Sequence, residues 1–140
     1  MNWATYYSAG DRLVTFDFRG YRCGLMICYD GDFPEMTRAY ANRGCAVLFW
    51  LNHRGSRGYA EVKDLAMRNS MIMATCCCCG VDESGNVCRG GSNITDAKGK
   101  LQAEIWDREG IILKDVYPAE VPKLRAENPS YHGQRPELYR

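Results

Sequence analysis

The sequence predicts an α/β fold, in which helices pack against a sheet whose central strands are buried. Short apolar runs alternate with amphipathic helical stretches along the chain, as they do in α/β layers rather than in all-β folds. The run from Cys45 to Leu51 is apolar throughout, which is typical of a strand covered on both faces. The 140 residues show no internal repeat or flexible linker, so we expect residues 1–140 to form a single structural unit.

The first part of the chain predicts a hairpin, a helix and a buried strand in succession. Apolar and polar residues alternate over 12–18, a turn follows at Gly20, and residues 22–29 read as a second strand. Pro34 suits the first turn of a helix, and Gly44 suits its end. The buried strand comes next, and a polar loop over residues 52–58 follows it.

The second part begins with a predicted helix over residues 59–73. Its apolar stripe has the spacing of one helical face and comprises Val62, Leu65, Ala66, Asn69 and Met73. Further strands are predicted at 75–81, 91–95, 102–105 and 110–116, with a short helix at 121–127. The tail, residues 128–140, has two prolines and little apolar content, and we expect it to wrap or contact a partner surface.

Composition argues against several classes of function. Net charge is +1 and the isoelectric point is about 7.5, which gives no basic stripe for nucleic acid or for an anionic membrane. The longest apolar run is far shorter than a membrane span. The first residues lack the basic start and hydrophobic core of a signal peptide. We therefore expect a cytoplasmic protein with neither nucleic acid nor membrane as partner.

Eight cysteines need an interpretation: Cys23, Cys28, Cys45, Cys76, Cys77, Cys78, Cys79 and Cys88. The chain is too rich in long apolar segments for a secreted disulfide scaffold. Four consecutive cysteines cannot all face one metal, because side chains alternate along a strand, so no metal site is expected. All except Cys28 are interpreted as small buried hydrophobic residues. Oxidation of Cys76 with Cys79 is a weak further possibility.

Cys28 is the candidate nucleophile. It stands where an apolar strand meets a short turn and then a helix, the placement of a nucleophile elbow. Such an elbow exposes the side chain at the sheet edge and directs backbone N–H groups toward a developing oxyanion. A nearby helix N-terminus also favours the thiolate. Spacing alone leaves the alternative of a buried strand-end cysteine open.

Other residues near this point have simpler interpretations. Asp30 and Asp32 are expected to cap the turn, and Glu35 to bond near the helix start rather than to transfer protons. Asn52 and His53 follow a buried strand, at the edge where ligands bind in α/β sheets. They are candidate substrate contacts, and a solvated surface loop is the alternative.

Three arginines and two tryptophans are assigned structural positions. Arg108, Arg125 and Arg135 are interpreted as surface or salt-bridge residues. Trp50 and Trp106 are interpreted as core or interface residues rather than ligand platforms.

A family resemblance adds to this interpretation. The run G-L-M-I-C-Y-D-G-D-F-P-E, from Gly24 to Glu35, is similar to the segment around the nucleophile of nitrilase-superfamily carbon–nitrogen hydrolases. The motifs G-V-D-E, I-T-D-A-K-G-K, E-G-I-I-L-K-D-V and R-P-E-L-Y then follow in the family's order. The resemblance covers nearly the whole chain, and its wording is closest to aliphatic amidases and formamidases.

The resemblance implies the C-terminal portion of a nitrilase-type α-β-β-α sandwich, in a protein that forms homo-oligomers. It implies thiol-dependent hydrolysis of a non-peptide C–N bond, in which a small amide yields a carboxylate and ammonia. Cys28 would be the nucleophile that forms a thioester, and the backbone N–H of Tyr29 would hold the oxyanion. No metal or organic cofactor is implied. Amide, nitrile and carbamoyl substrates all remain open.

Two residues of the family's site are not found where the family has them. Its glutamate base and its oxyanion-binding lysine lie upstream of the cysteine, whereas the 27 residues before Cys28 contain neither Glu nor Lys. We therefore expect the chain to be nearly inactive by itself. One alternative is a non-catalytic half-domain that acts as an assembly partner. Another is a Cys–His thiol hydrolase, which needs His53 or His132 beside Cys28.

Overall fold

A computed structural model describes residues 5–53, 59–133 and 135, and these residues build one seven-stranded sheet with its two longest helices on one face. The predicted α/β class is confirmed. The strands are β1 (Val14–Phe18), β2 (Tyr21–Ile27), β3 (Val47–Asn52), β4 (Ile72–Cys77), β5 (Cys79–Val81), β6 (Val87–Thr95) and β7 (Leu101–Trp106). The helices are α1 (Pro34–Asn42), α2 (Tyr59–Asn69), α3 (Val121–Ala126) and α4 (Pro129–His132).

The connections place three strand ends at one edge of the sheet. Strands β2, β3 and β4 are parallel neighbours, joined by α1 and α2. Antiparallel strands flank them: β1 pairs with β2, and β6 pairs with β4, β5 and β7. Since parallel strands share a direction, the carboxyl ends of β2, β3 and β4 meet at the same edge.

The predicted hairpin forms through a two-residue turn. Arg19 and Gly20 connect the paired residues Phe18 and Tyr21, and both have positive φ, 50° and 82°. Two successive residues at positive φ match the twist of a tight hairpin, and glycine adopts that conformation without a steric penalty. This turn sets the register of β1 on β2.

Strand alternation divides the apolar residues between the two faces of the sheet. One face packs on α1 and α2 through a core of Met26, Tyr40, Cys45, Leu48, Trp50, Val62, Leu65, Ala66, Met71 and Met73. On the opposite face, a smaller cluster includes Cys23, Val47, Ile72 and Val121.

The rest of the opposite face is apolar and uncovered. We call it the open face and define it by Val14, Phe16, Phe18, Ile27 and Leu51, whose exposed fractions lie between 42% and 59%. Phe16 stacks on Phe49, which packs against the smaller cluster, so β1 continues this face to the sheet edge.

Two sequence expectations need correction. Helix α2 ends at Asn69 rather than at residue 73, because Ile72 already begins β4 and Met73 lies in that strand. Residues 110–116 are not part of the sheet. Within the described ranges they find no strand partner, and Ile111 and Leu113 are each 87% exposed.

Arg125 is not a surface residue, contrary to expectation. Its guanidinium donates to the carbonyl oxygens of Ala41 at 3.0 Å, Cys45 at 2.7 Å, Asn69 at 3.2 Å and Ser70 at 3.3 Å. These carbonyls lie at and just beyond the C-terminal ends of α1 and α2, where helix carbonyls lack intrahelical donors. Burial lowers the pKa of Arg125. The side chain therefore fastens α3 to both longer helices.

The start of the tail packs on the chain itself. The guanidinium of Arg38, in α1, lies 4.5 Å from the ring centroid of Tyr131, in α4. Asn128 donates to the carbonyl oxygen of Met67 at 2.8 Å. Residues 134 and 136–140 lie outside the described residues, and contact between the tail and a partner stays a prediction.

Helix length bears on membrane insertion. The helix α2 has 11 residues, about half of what a span requires. Across the part of the chain that the structure describes, no helix has the length and apolar character to cross a bilayer.

Candidate active site

Cys28 lies at the junction that the sequence predicts. Strand β2 ends at Ile27, a short 3-10 helix covers Cys28–Asp32, and α1 begins at Pro34. Cys28 has a φ of 45°, a conformation that residues other than glycine seldom adopt. Its side chain is half-buried at the carboxyl edge of the parallel strands. Strained backbone of this kind is concentrated at functional sites.

A buried indole holds the turn. Trp50 is fully buried, and its Nε1 donates to the carbonyl oxygen of Cys28 at 3.1 Å. A Cβ on Gly31 would lie 2.0 Å from the Trp50 ring, so only glycine fits there. The carboxylate of Asp30 accepts from the N–H of Ile27 at 2.9 Å, as its predicted capping role requires.

Trp50 occupies the core position that the sequence predicts, but its contact with the Cys28 carbonyl was not predicted. It reaches the turn from β3, which no local spacing rule indicates. A glycine inside the turn was the only signal of a close approach.

Exposed apolar side chains lie next to Cys28 in the chain. Tyr29 is 58% exposed and meets the Phe33 ring edge-on, with centroids 5.3 Å apart. Ile27 is 59% exposed. Glu35 is exposed in the first turn of α1, where a carboxylate is favourable.

The register places the next candidate residues at the same edge. Ile27 pairs with Leu51, so Cys28 and Asn52 each follow a paired position at the ends of β2 and β3. Asn52, the last residue of β3, is buried, and His53 after it is exposed.

Neither histidine is hydrogen-bonded to Cys28 among the described residues. His53 Nδ1 lies 3.3 Å from Cys78 Sγ. His132 Nε2 lies 3.0 Å from the carbonyl oxygen of Arg125, in the helical tail. This geometry gives no support to a Cys–His thiol hydrolase centred on Cys28.

The thiols at the end of β4 are poor nucleophiles. Burial raises the pKa of Cys77 to about 11, and the neighbouring Cys76 and Cys78 add to the shift. Burial also raises the pKa of Cys78, and contact with Cys88 reinforces it. Because the thiolate is the reactive species, these side chains are mostly protonated near neutral pH. Cys23 and Cys45 are buried as predicted, whereas Cys76 is exposed.

The site therefore consists of a half-buried thiol on a turn that Trp50 and Gly31 hold in place. A thiol so placed can attack an acyl carbon. Proton transfer to a leaving amine needs a further acid, and the sequence before Cys28 supplies neither Glu nor Lys.

Comparison with known sequences gives a family match over most of the chain. A family model described as carbon-nitrogen hydrolase matches residues 3–126. An omega-amidase from Homo sapiens is 30% identical over 137 residues, which cover 94% of this chain and 50% of that protein. A 2-oxoglutaramate amidase from Bacillus subtilis is 31% identical over 138 residues, covering 96% and 53%. The chain thus spans about half the length of these curated relatives.

Solved structures agree on the fold. A CN-hydrolase superfamily protein from Xanthomonas campestris, with an arsenic adduct in its active site, superposes with a TM-score of 0.82 at 24% identity. The match covers 96% of this chain and 54% of that one. An amidase mutant from Nesterenkonia carries the acetamide moiety of fluoroacetamide on its active-site cysteine. It superposes with a TM-score of 0.78 at 24% identity, and the match covers 97% of this chain and 49% of that one. The predicted partial fold is confirmed: the chain corresponds to about half of these structures.

Proposed function

This chain belongs to the carbon–nitrogen hydrolase family, and from that premise we propose that it is the nucleophile-bearing part of a small-amide hydrolase. The observation that carries the proposal is the position of Cys28. The residue stands on a strained turn at the carboxyl edge of three parallel strands, inside the run that resembles the family's nucleophile segment. The reaction converts an amide and water into a carboxylate and ammonia.

The steps follow from thiol chemistry. The Cys28 sulfur attacks the amide carbonyl carbon, a C–S bond forms, and the carbonyl electrons move to oxygen. The backbone N–H of Tyr29, the next residue, donates to that oxygen. The C–N bond then breaks, and the nitrogen leaves as ammonia after taking up a proton. Water attacks the resulting thioester, which releases the carboxylate and restores the thiol.

Proton transfer is assigned to residues outside this chain. Expulsion of an amine from a tetrahedral intermediate needs a general acid, and water attack needs a base. The family's glutamate and lysine precede the cysteine, and the 27 residues before Cys28 contain neither type. Since each missing group costs orders of magnitude in rate, the chain alone is nearly inactive.

The substrate is assigned to the small amides. Asn52 and His53 lie at the same sheet edge as Cys28 and are proposed to line the acyl pocket. The exposed apolar side chains of Ile27 and Tyr29 flank Cys28 in the chain. Two relatives are named as amidases, and one Nesterenkonia amidase mutant is in complex with butyramide. These names support an amide over a nitrile or carbamoyl compound.

Ammonia release tests the proposal. A panel of small amides, nitriles and carbamoyl compounds is offered to this chain and to a version that adds the coding sequence upstream of Met1, up to the next in-frame start. We expect turnover only in the extended version, and its loss in Cys28→Ala but not in Cys79→Ala, which lies on β5. Robust turnover by the 140-residue chain would contradict the assignment of proton transfer. Turnover that survives Cys28→Ala would contradict the nucleophile.

A second candidate function is a non-catalytic assembly partner. The open face supports it, because an apolar sheet surface of this kind is normally covered by protein. Ile111 and Leu113, on the unpaired segment beyond β7, add exposed apolar side chains. Ammonia release from neither version, together with stable self-association, would favour this function over the amidase.

Homo-oligomer formation and a cytoplasmic location remain predictions from the sequence. Sedimentation velocity at several protein concentrations tests the first, and imaging of the tagged protein in the source cells tests the second.

A further inference from the structure

A cluster of two cysteines and a histidine lies outside the proposed catalytic residues. Cys78 stands between β4 and β5, at the break of the four-cysteine run. Its Sγ lies 3.3 Å from Nδ1 of His53 and 3.2 Å from the carbonyl oxygen of the same residue. Cys88 lies on β6, and its thiol is close enough to that of Cys78 to add to the effect of burial in raising the pKa of Cys78.

The strand register explains why these two thiols meet. Cys79 pairs with Arg89 and Gly80 pairs with Cys88, while the N–H of Gly90 donates to the carbonyl of Cys78 at 3.1 Å. Cys78 and Cys88 are therefore diagonal neighbours on one side of the β5–β6 hairpin. Cys79 pairs with Arg89 instead, so it occupies a different position of the register from Cys78.

Two glycines in the β5–β6 hairpin allow the backbone to bring Cys78 and Cys88 closer together. Diagonal residues in an antiparallel pair are roughly 7–8 Å apart at Cα, whereas a disulfide needs about 4.4–6.8 Å. On these general distances, a disulfide between the two residues requires a backbone shift of about 1 Å. Gly80 and Gly90 have φ of 109° and 80°, and glycine makes such adjustments at low cost.

We propose that Cys78 and Cys88 form a reversible disulfide by exchange with a low-molecular-weight disulfide such as glutathione disulfide. Because burial raises the pKa of Cys78, the Cys88 thiolate attacks a sulfur of the small disulfide first, forms a mixed disulfide and releases one glutathione thiolate. The second cysteine, after losing its proton to water, attacks the protein sulfur of the mixed disulfide and releases the second glutathione. The protein loses two hydrogen atoms, and the glutathione disulfide is reduced to two thiols.

The reaction changes the sheet edge near Cys28. In the reduced chain the Cys78 thiol donates to the His53 carbonyl, and its sulfur lies against the imidazole. The disulfide has no S–H donor, so that contact to His53 is lost. His53 follows β3, whose neighbour β2 ends beside Cys28. The inference is independent of amidase activity, since it requires only these side chains.

Peptide mapping tests the inference. The chain is equilibrated with glutathione disulfide at about pH 8, near the ordinary thiol pKa, and then acid-quenched and alkylated. Cleavage after Arg68, Glu83 and Arg89 leaves Cys78 in peptide 69–83 and Cys88 in peptide 84–89. We expect these peptides to be linked, with two hydrogens lost, in the wild type and in Cys79→Ser. The link should be absent in Cys78→Ser and in Cys88→Ser.

NMR signals of the histidine rings provide a second readout. The chain has two histidines, and His132 lies in α4, so its NMR signals serve as the internal control. Oxidation should shift the ring signals of His53 and leave those of His132 unchanged. Circular dichroism shows whether each variant is folded. The proposal is overturned if folded wild-type protein yields no linked peptide, if the link persists in Cys78→Ser, or if Cys79→Ser abolishes it.

Discussion

At the scale of single residues, Cys28 is one of four non-glycine residues with positive φ in the described part of the chain, and it is the one that carries the proposed chemistry. A non-glycine residue at a φ of 45° costs of order 1–3 kcal/mol, and the surrounding contacts must offset that cost. The hydrogen bond from Trp50 and the close fit of Gly31 provide those contacts. The turn should therefore respond to changes in residues that never touch substrate.

Gly31→Ala should destabilise the chain by roughly 1–3 kcal/mol, because its Cβ would overlap the buried Trp50 ring. Urea denaturation measures the loss. Gly10→Ala is the matched control, since nothing lies within 4 Å of its Cβ position. Equal stability of Gly31→Ala and the wild type would show that the indole does not support the turn.

Two adjacent thiols should differ in reactivity with pH. Cys77, with a pKa of about 11, should resist iodoacetamide at about pH 8, and its alkylation should accelerate only as pH rises toward that pKa. Cys76 is exposed and should react faster than Cys77 under the same conditions. Timed alkylation followed by tandem mass spectrometry gives both rates. Faster alkylation of Cys77 than of Cys76 would contradict the burial described here.

At the scale of elements, local patterns predicted the helices and central strands, whereas long-range contacts escaped prediction. Pro34 correctly indicated the start of α1, and the apolar run before Leu51 correctly indicated β3. The predicted end of α2 is wrong because Met73 has the spacing of the apolar helical stripe. In the structure Met73 lies on β4 and contributes to the core from that strand. Pairing of residues 110–116 depends on a neighbouring strand, which periodicity does not reveal.

Arg125 illustrates the same limit, because an arginine in a polar segment gives no sign that it will cap two distant helices. Arg125→Ala should lower the free energy of unfolding by roughly 2–4 kcal/mol, since several carbonyls lose a charged donor. The exposed Arg108→Ala should change it by less than about 0.5 kcal/mol. Chemical denaturation measures the free energy of unfolding of both variants. Similar small decreases in the two would contradict the capping role of Arg125 and support the surface role predicted from the sequence.

At the scale of the whole molecule, the chain spans about half the length of the curated relatives it matches, and it exposes the open face. Cys28, Tyr29, Asn52 and His53 could be proposed as site residues from motif and strand ends alone. Their setting could not, because the uncovered sheet and the position of His53 against Cys78 arise from packing between distant segments.

If the open face drives self-association, a polar substitution there should reduce it. Phe18→Ser should lower the sedimentation coefficient at a given protein concentration without loss of fold, because Phe18 is 58% exposed. Val81→Ser, at 69% exposure on β5, is the matched control and should leave association unchanged. Equal effects of the two variants would remove the open face as the contact surface.

The most direct test of the central claim is to trap the acyl group on its residue. The version extended upstream of Met1 is mixed with a small amide, quenched in acid within a single turnover, and mapped by mass spectrometry. The account predicts a thioester on the peptide that contains Cys28, and its absence in Cys28→Ala while Cys79→Ala retains it. Ammonia release with the acyl group on another residue, or with none trapped at Cys28, would contradict the account.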